Sequence, residues 1–399
     1  MARILFMSSK EKGHVNPLLP VAQELLRRGH HVGWRCLPFA PPRLGELGID
    51  VEPSAAADDS EGEALATGGP ELVELVRDND RLLRWIRTLL IDQVPGEVDP
   101  TREAFRRWEP DLLVVDPMMY QGIIAAHLDD VLYACVSSSL NPVTPDDLDC
   151  RHSRNMQAID ADRRRLFSSY GMEPVFKVAD CLSPHLNIVF TTKEYVGRDT
   201  EIPEATHLVG PTRQVVERGD EPQFDWDLLD GRPLIYASFG SQIYHQSERF
   251  QLIADATREL DVQLVVSCGA LATSQWAKSL PEHVIARPYV PQRALLEHTS
   301  LMITHGGANS MMEAIAAGVP ILISSVCNDQ PMQAYFACRR GVAKALDLDD
   351  AKPEEVRRAL SSMLASNSPQ RQAVNEMAAL YSEIDGAEVA AGLIEELLE

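Results

Sequence analysis

The chain has 399 residues, 45% of them hydrophobic and 24% charged, with a formal net charge of −22. That length suits two domains with proper cores, and the acidic excess argues against nucleic acid or an anionic membrane as a partner, since both need a basic face. Seven scattered cysteines without a Cys-x-x-Cys pair argue against a disulfide framework or zinc site and fit a reducing cytoplasm, and no apolar run has the length of a signal peptide or a membrane span.

Arg3 to Ser9 reads as a buried strand. Lys10 to His14 follow as a loop, Asn16 suits a helix cap and Pro17 a first turn, and the helix should run to about Arg28 before Gly29. With a strand over His31 to Cys36 this is a βαβ opening of the doubly wound kind, but the glycine fingerprint of a dinucleotide site is missing. Ser54 to Pro70 is expected to be a mobile acidic loop. Glu71 to Asp92 reads as one amphipathic helix, with a stripe that includes Leu72, Leu75, Val76, Leu82 and Ile86. Leu112 to Val115 is an apolar strand ending at Asp116-Pro117, and Ala134 to Ser137 is another. From Leu140 to Pro184 the pattern is irregular; Ile188 to Thr191 and His207 to Val209 read as the last strands of this half.

Gly210 to Pro222 is polar and weakly patterned, as in a linker. The alternation then restarts: a strand over Leu234 to Phe239, Gly240-Ser241, a helix over Ser247 to Glu259, and strands over Gln263 to Ser267 and Val284 to Arg287. Next come a strand at Leu301 to Thr304, a turn at Gly306-Gly307, a helix over Ser310 to Ala317 closed by Gly318 and Pro320, and a strand at Ile321 to Ser324. A strand, a glycine turn and a helix N-terminus make an anion site, because backbone N–H groups and the positive dipole end converge there; His305 lies at that point, and the expected anion is a phosphate. Helices over Pro353 to Ala365, Ser368 to Ile384 and Ala387 to Leu398 close the chain.

From Tyr289 to Gln330 the chain carries Tyr-Val-Pro-Gln, Leu-Leu-Glu-His, Thr-His-Gly-Gly-Ala-Asn-Ser-Met-Met-Glu, Gly-Val-Pro and Asp-Gln, in that order. This series resembles the signature of the family 1, UDP-dependent glycosyltransferases, including bacterial macrolide and natural-product enzymes, with Tyr289 where the family usually has Trp. Gly13-His14-x-Asn16-Pro17 is similar to the family's N-terminal motif. The resemblance implies an α/β GT-B fold: two Rossmann-like domains facing a central cleft. Residues 1–211 would form the acceptor-binding domain, 212–222 the linker and 223–384 the nucleotide-sugar domain, with 385–399 a terminal helix packing back on the first domain.

The resemblance also assigns roles, each with a plainer alternative. His14 would be the catalytic base, or else a solvated loop histidine. Asp116 would orient it, or form only an Asx turn before Pro117. Ser241 would meet the β-phosphate, or merely lead a helix. Tyr289 would stack on the uracil, or be a core aromatic, with Val290 and Gln292 beside it at the nucleoside. His305, Gly307, Asn309 and Ser310 would hold the diphosphate. Glu313 would accept from the ribose hydroxyls, or close a Ser310–Glu313 capping box. Asp329 and Gln330 would contact the transferred sugar, or form a polar turn.

The implied activity is inverting transfer of a sugar, glucose being the expected one, from a UDP-sugar to a hydroxyl of a small lipophilic acceptor. No metal or further cofactor is expected, since no carboxylate cluster of metal-binding spacing accompanies the phosphate site. The enzyme would be cytoplasmic, a monomer or homodimer, without nucleic-acid or membrane partners. A UDP-sugar epimerase of GT-B type and a non-catalytic nucleotide-sugar-binding protein are the alternatives.

Overall fold

The computed structural model describes residues 1–37, 43–52, 69–212 and 222–399. The chain divides into two compact units: Met1–Ser60, Asp78–Gln214 and Ile384–Glu399 form one, Glu61–Arg77 and Val215–Glu383 the other. Most of the loop expected over Ser54 to Pro70, and the middle of the expected linker, lie outside the described residues.

The first unit is built on seven strands: β1 (Arg3–Ser9), β2 (His31–Leu37), β3 (Asp50–Val51), β4 (Leu112–Val115), β5 (Tyr133–Ser137), β8 (Asn187–Val189) and β9 (Thr206–Leu208). All pair in parallel, in the order β3-β2-β1-β4-β5-β8-β9. β6 (Val175–Lys177) and β7 (Asp180–Leu182) form a separate antiparallel hairpin. The central strands are apolar on both faces, as a covered parallel sheet requires: Ile4, Leu5, Phe6, Met7 and all of β4 are buried. The helix Lys12–Arg27 shares one core with the terminal helix Gly386–Leu397, with Leu18, Val21, Ala22 and Leu25 of the former and Ala387, Ala390, Ala391 and Ile394 of the latter in it. Arg28 adds an ion pair to Glu395 at 2.6 Å, and His30 Nε2 lies 2.9 Å from the same carboxyl group; partly exposed pairs of this kind contribute little beside that burial.

The second unit holds β10 (Leu234–Ser238), β11 (Gln263–Ser267), β12 (Val284–Arg287), β13 (Thr299–Thr304), β14 (Ile321–Ile323) and β15 (Ala343–Ala345), parallel in the order β12-β11-β10-β13-β14-β15. In each sheet the strand order reverses once, between β1 and β4 in the first and between β10 and β13 in the second. The crevice beyond the carboxyl ends of such a strand pair is where open α/β sheets bind ligands.

Four local expectations are corrected. The first helix starts at Lys12, not Asn16: extended Glu11 is its cap residue, the Glu11 carbonyl accepts from the His14 and Val15 N–H groups, and Pro17 lies inside the helix. The buried face of Val15, Leu18 and Leu19 outweighs the hydrogen bond a proline forgoes. Glu71 to Asp92 is not one helix but three pieces, Pro70–Arg77, Asn79–Arg87 and Thr88–Asp92, because the Asp78 carboxylate accepts from the Asp80 and Arg81 N–H groups and starts a new helix. The first piece groups with the second unit rather than the first. The irregular stretch Leu140 to Pro184 contains helices Arg151–Ala158 and Asp160–Ser168 as well as the β6–β7 hairpin. Asp329 and Gln330 open a helix, Gln330–Arg340, with Pro331 in its first turn. No helix among the described residues is long and apolar enough to cross a membrane.

Candidate active site

In the first unit the strand reversal brings together His14 and Asp116. His14 lies in the first turn of the helix after β1, and Asp116 directly follows β4. His14 Nδ1 meets Asp116 Oδ2 at 2.5 Å; the histidine side chain is 28% exposed and the aspartate 1%. The other carboxylate oxygen accepts from the Met118 N–H at 3.0 Å. The Asx turn and the histidine pairing are thus both present, each on its own oxygen, and the turn aims the second oxygen at the ring. Ser138, just past β5, places its Oγ 3.3 Å from the same Nδ1. Sequence reasoning passed over Ser138; the run Ser137-Ser138-Ser139 at a strand end of the same sheet was the available signal.

In the second unit the reversal joins the ends of β10 and β13, where Ser238 and Thr304 are register partners. Ser241 lies exposed on the turn after β10. His305, Gly307, Asn309 and Ser310 follow β13, the helix running Ala308–Ala316 with Gly307 as its cap residue. Gly307 brings no side chain to cap the helix, so its N-terminal N–H groups and dipole suit an anion. The His305 ring is wedged between two glycines: a methyl group on Gly240 or Gly307 would lie 2.9 or 2.7 Å from Nε2. Nδ1 of the ring faces the Thr304 hydroxyl at 3.2 Å. Burial pushes His305 down to about 4, aided by the charge of Arg249 and opposed by a hydrogen bond to the Ser238 backbone. His305 is therefore a neutral dipole at this site rather than a cation.

Glu313 does not close a capping box, because Ser310 already lies inside the helix. It accepts from Gln292 Nε2 at 2.7 Å; the same nitrogen lies 3.3 Å from Ser310 Oγ, and buried Tyr236 donates its hydroxyl to Gln292 Oε1 at 3.0 Å. The Gln292 amide is thus oriented by three neighbours, and Tyr236 is a site residue the sequence did not reveal. Tyr289 is 36% exposed at the end of β12, which removes the core-aromatic alternative, whereas the neighbouring Val290 side chain is buried. Asp329 is partly exposed and makes no side-chain cap to its helix. Gln330 is 5% exposed, and its Oε1 accepts from the Val326 and Cys327 N–H groups at 2.8 and 2.9 Å. That oxygen organises its own loop.

Two parallel Rossmann-like sheets, each with polar side chains gathered at its strand reversal, are the plan of the GT-B fold. The family model for UDP-glucuronosyl and UDP-glucosyl transferases matches residues 228–382, within the second unit. The NDP-glycosyltransferase YjiC of Bacillus subtilis is 25% identical over 97% of this chain and 95% of its own length. Demethyllactenocin mycarosyltransferase of Streptomyces fradiae is 27% identical over 100% of this chain and 87% of its own. Among solved structures, the glycotransferase of kitacinnamycin superposes with a TM-score of 0.77 at 20% identity, covering 100% of this chain and 99% of that one, which shows the fold. The chain thus resembles the UDP-dependent glycosyltransferases, by the family model over residues 228–382 and by these relatives over nearly its whole length.

Tyr289→Ala should weaken UDP binding by about 1–3 kcal/mol in calorimetry, the range for a base stacked on an aromatic ring, and Tyr289→Trp should retain it; equal affinity in wild type and the alanine variant would remove Tyr289 from the nucleoside. In the unliganded protein His305 should stay neutral at pH 6 and protonate near about 4 in an imidazole NMR titration. Between its ordinary value of 6.5 and about 4 the unfolded chain then binds a proton the folded chain does not, so this residue's share of stability falls as pH drops through that window. A midpoint near 6.5 would contradict the assignment.

Proposed function

We propose that the protein transfers glucose from UDP-glucose to a hydroxyl of a small lipophilic natural product, inverting the anomeric centre. The acceptor proton passes to His14 Nε2, the acceptor oxygen bonds to the anomeric carbon, and the bond from that carbon to the β-phosphate oxygen breaks, UDP leaving with the electron pair. Asp116 holds Nδ1–H and stabilises the imidazolium as it forms. Leaving-group charge is met by the helix N-terminus at Gly307–Ser310 and by the neutral His305 dipole. One displacement inverts the centre, and no metal is needed for any step.

The observation that carries this reading is the His14–Asp116 pair at the strand reversal, a partly exposed imidazole set by a buried carboxylate. A lone surface histidine has no such partner, and a protein that only binds nucleotide-sugars would not need one. The relative named demethyllactenocin mycarosyltransferase supports a small-molecule acceptor. For the sugar, Asp329 is the side chain that suits free hydroxyls, because an ionised carboxylate only accepts hydrogen bonds, while Gln330 supports it by shaping residues 326–330.

His14→Ala should lower kcat by roughly 10²–10⁴, the usual worth of a general base, while UDP affinity, measured calorimetrically, stays at the wild-type value. Turnover at the wild-type rate on a neutral hydroxyl acceptor would overturn the mechanism.

A further inference from the structure

We propose that Ser138 is a positioning residue for His14, and that buried Asp180 is the clamp that holds it there; this rests on His14 being the base. Ser138 Oγ lies 3.3 Å from the nitrogen that faces Asp116. The loop carrying Ser138 is pinned on both sides by one carboxylate: Asp180 Oδ2 accepts from Ser137 Oγ at 2.5 Å and Oδ1 accepts from Asn141 Nδ2 at 2.7 Å. Within the loop, Ser139 N–H donates to Ser137 Oγ and Asn141 N–H to Ser139 Oγ, so residues 137–141 are tied to one another.

Asp180 is 1% exposed at the start of β7. The turn before it is held against its own preference. Val178 sits at φ 54°, a left-handed conformation that a β-branched residue rarely adopts. The Val178 carbonyl accepts from Arg163 Nη1 and the Ala179 carbonyl from the Tyr120 hydroxyl, each at 2.5 Å. Both side chains are buried, and the Arg163 guanidinium lies 4.3 Å from the Phe176 ring centre. Strain of this kind persists where the surroundings over-determine the backbone. The same strand reaches the other partner of the histidine, because the Cys181 N–H donates to the Pro117 carbonyl, the residue after Asp116, at 3.0 Å. One short strand, β7, thereby sets both Nδ1 acceptors, Asp116 through Pro117 and Ser138 through Asp180.

The chemistry gives this placement a purpose. For Nε2 to take a proton, Nδ1 must carry the hydrogen and point it at its acceptors. The Asp116 carboxylate, from β4, takes the main bond. Ser138 Oγ is a second acceptor off the end of β5, and both stabilise the ring once it is charged. A 3.3 Å contact is long for a hydrogen bond, so its main effect is to hold the ring plane and thus the direction of Nε2.

The test compares Ser138→Ala, Ser138→Thr, Asp180→Asn and His14→Ala with wild type, using UDP-glucose and one hydroxyl acceptor, in kcat, in UDP affinity and in kcat/KM across the acid limb of the pH profile. Ser138→Ala should lower kcat about three- to tenfold, the effect of one weak hydrogen bond to a charged group, with UDP affinity unchanged. Its acid limb should move to lower pH, because an imidazolium with one acceptor fewer loses its proton more readily. Ser138→Thr keeps the hydroxyl and should restore both properties, and Asp180→Asn should shift them in the same direction as the alanine variant. Wild-type kcat and an unmoved limb in Ser138→Ala, beside an inactive His14→Ala, would overturn the positioning role alone. Full turnover in His14→Ala would overturn the base assignment and this inference with it.

Discussion

Two strands side by side make the first site possible. β1 and β4 are parallel neighbours, with Met7 and Val115 in register, so the segments leaving their carboxyl ends emerge together even though 102 positions separate His14 from Asp116. The helix entered through Glu11 carries the imidazole, and the Asx turn at Asp116 spends one carboxylate oxygen on Met118 and leaves the other facing the ring. A parallel sheet buried on both faces is stiff, and catalytic groups on such supports keep their geometry better than groups on free loops. A carboxyl group this far from water is costly unless hydrogen-bonded, and Asp116 has a partner on each oxygen, the Met118 N–H and the histidine.

The second unit repeats the plan with different chemistry. Its reversal lies between β10 and β13, and what gathers there is a helix N-terminus, a wedged histidine and an amide network rather than an acid–base pair. Gly240 and Gly307 leave room for the His305 ring, and Thr304 faces its Nδ1. Tyr236, Gln292, Ser310 and Glu313 form one hydrogen-bonded set, so these side chains are held in place by each other. Such preorganisation lowers the ordering cost of binding.

Much of this was legible in the sequence, for physical reasons. Apolar runs such as Leu112–Val115 and Leu301–Thr304 can hardly be anything but buried strands, and the glycine turn after Thr304 marks the start of the next helix. Three kinds of information were hidden. Helix starts set by tertiary burial, as at Lys12, outrank good capping residues such as Asn16. A capping aspartate in mid-stripe, Asp78, broke a helix that periodicity joined. Side-chain commitments across the fold have no local signal: Gln330 and Glu313 are apt residues for ligand hydroxyls, yet the Gln330 oxygen serves its own loop and Glu313 holds Gln292. Ser138 and Asp180 were invisible for the same reason, their partners lying 124 and 43 positions away.

The central claim is that His14 and Asp116 act as one base. Residues that work as a unit are grossly non-additive in kcat, so the decisive measurement is a double-mutant cycle of kcat for His14→Ala, Asp116→Asn and the double variant with one donor and one acceptor. A double variant no slower than His14→Ala is the predicted result. Losses that multiply, each mutation exacting its full effect in the presence of the other, would show that the two residues act separately and would contradict the account.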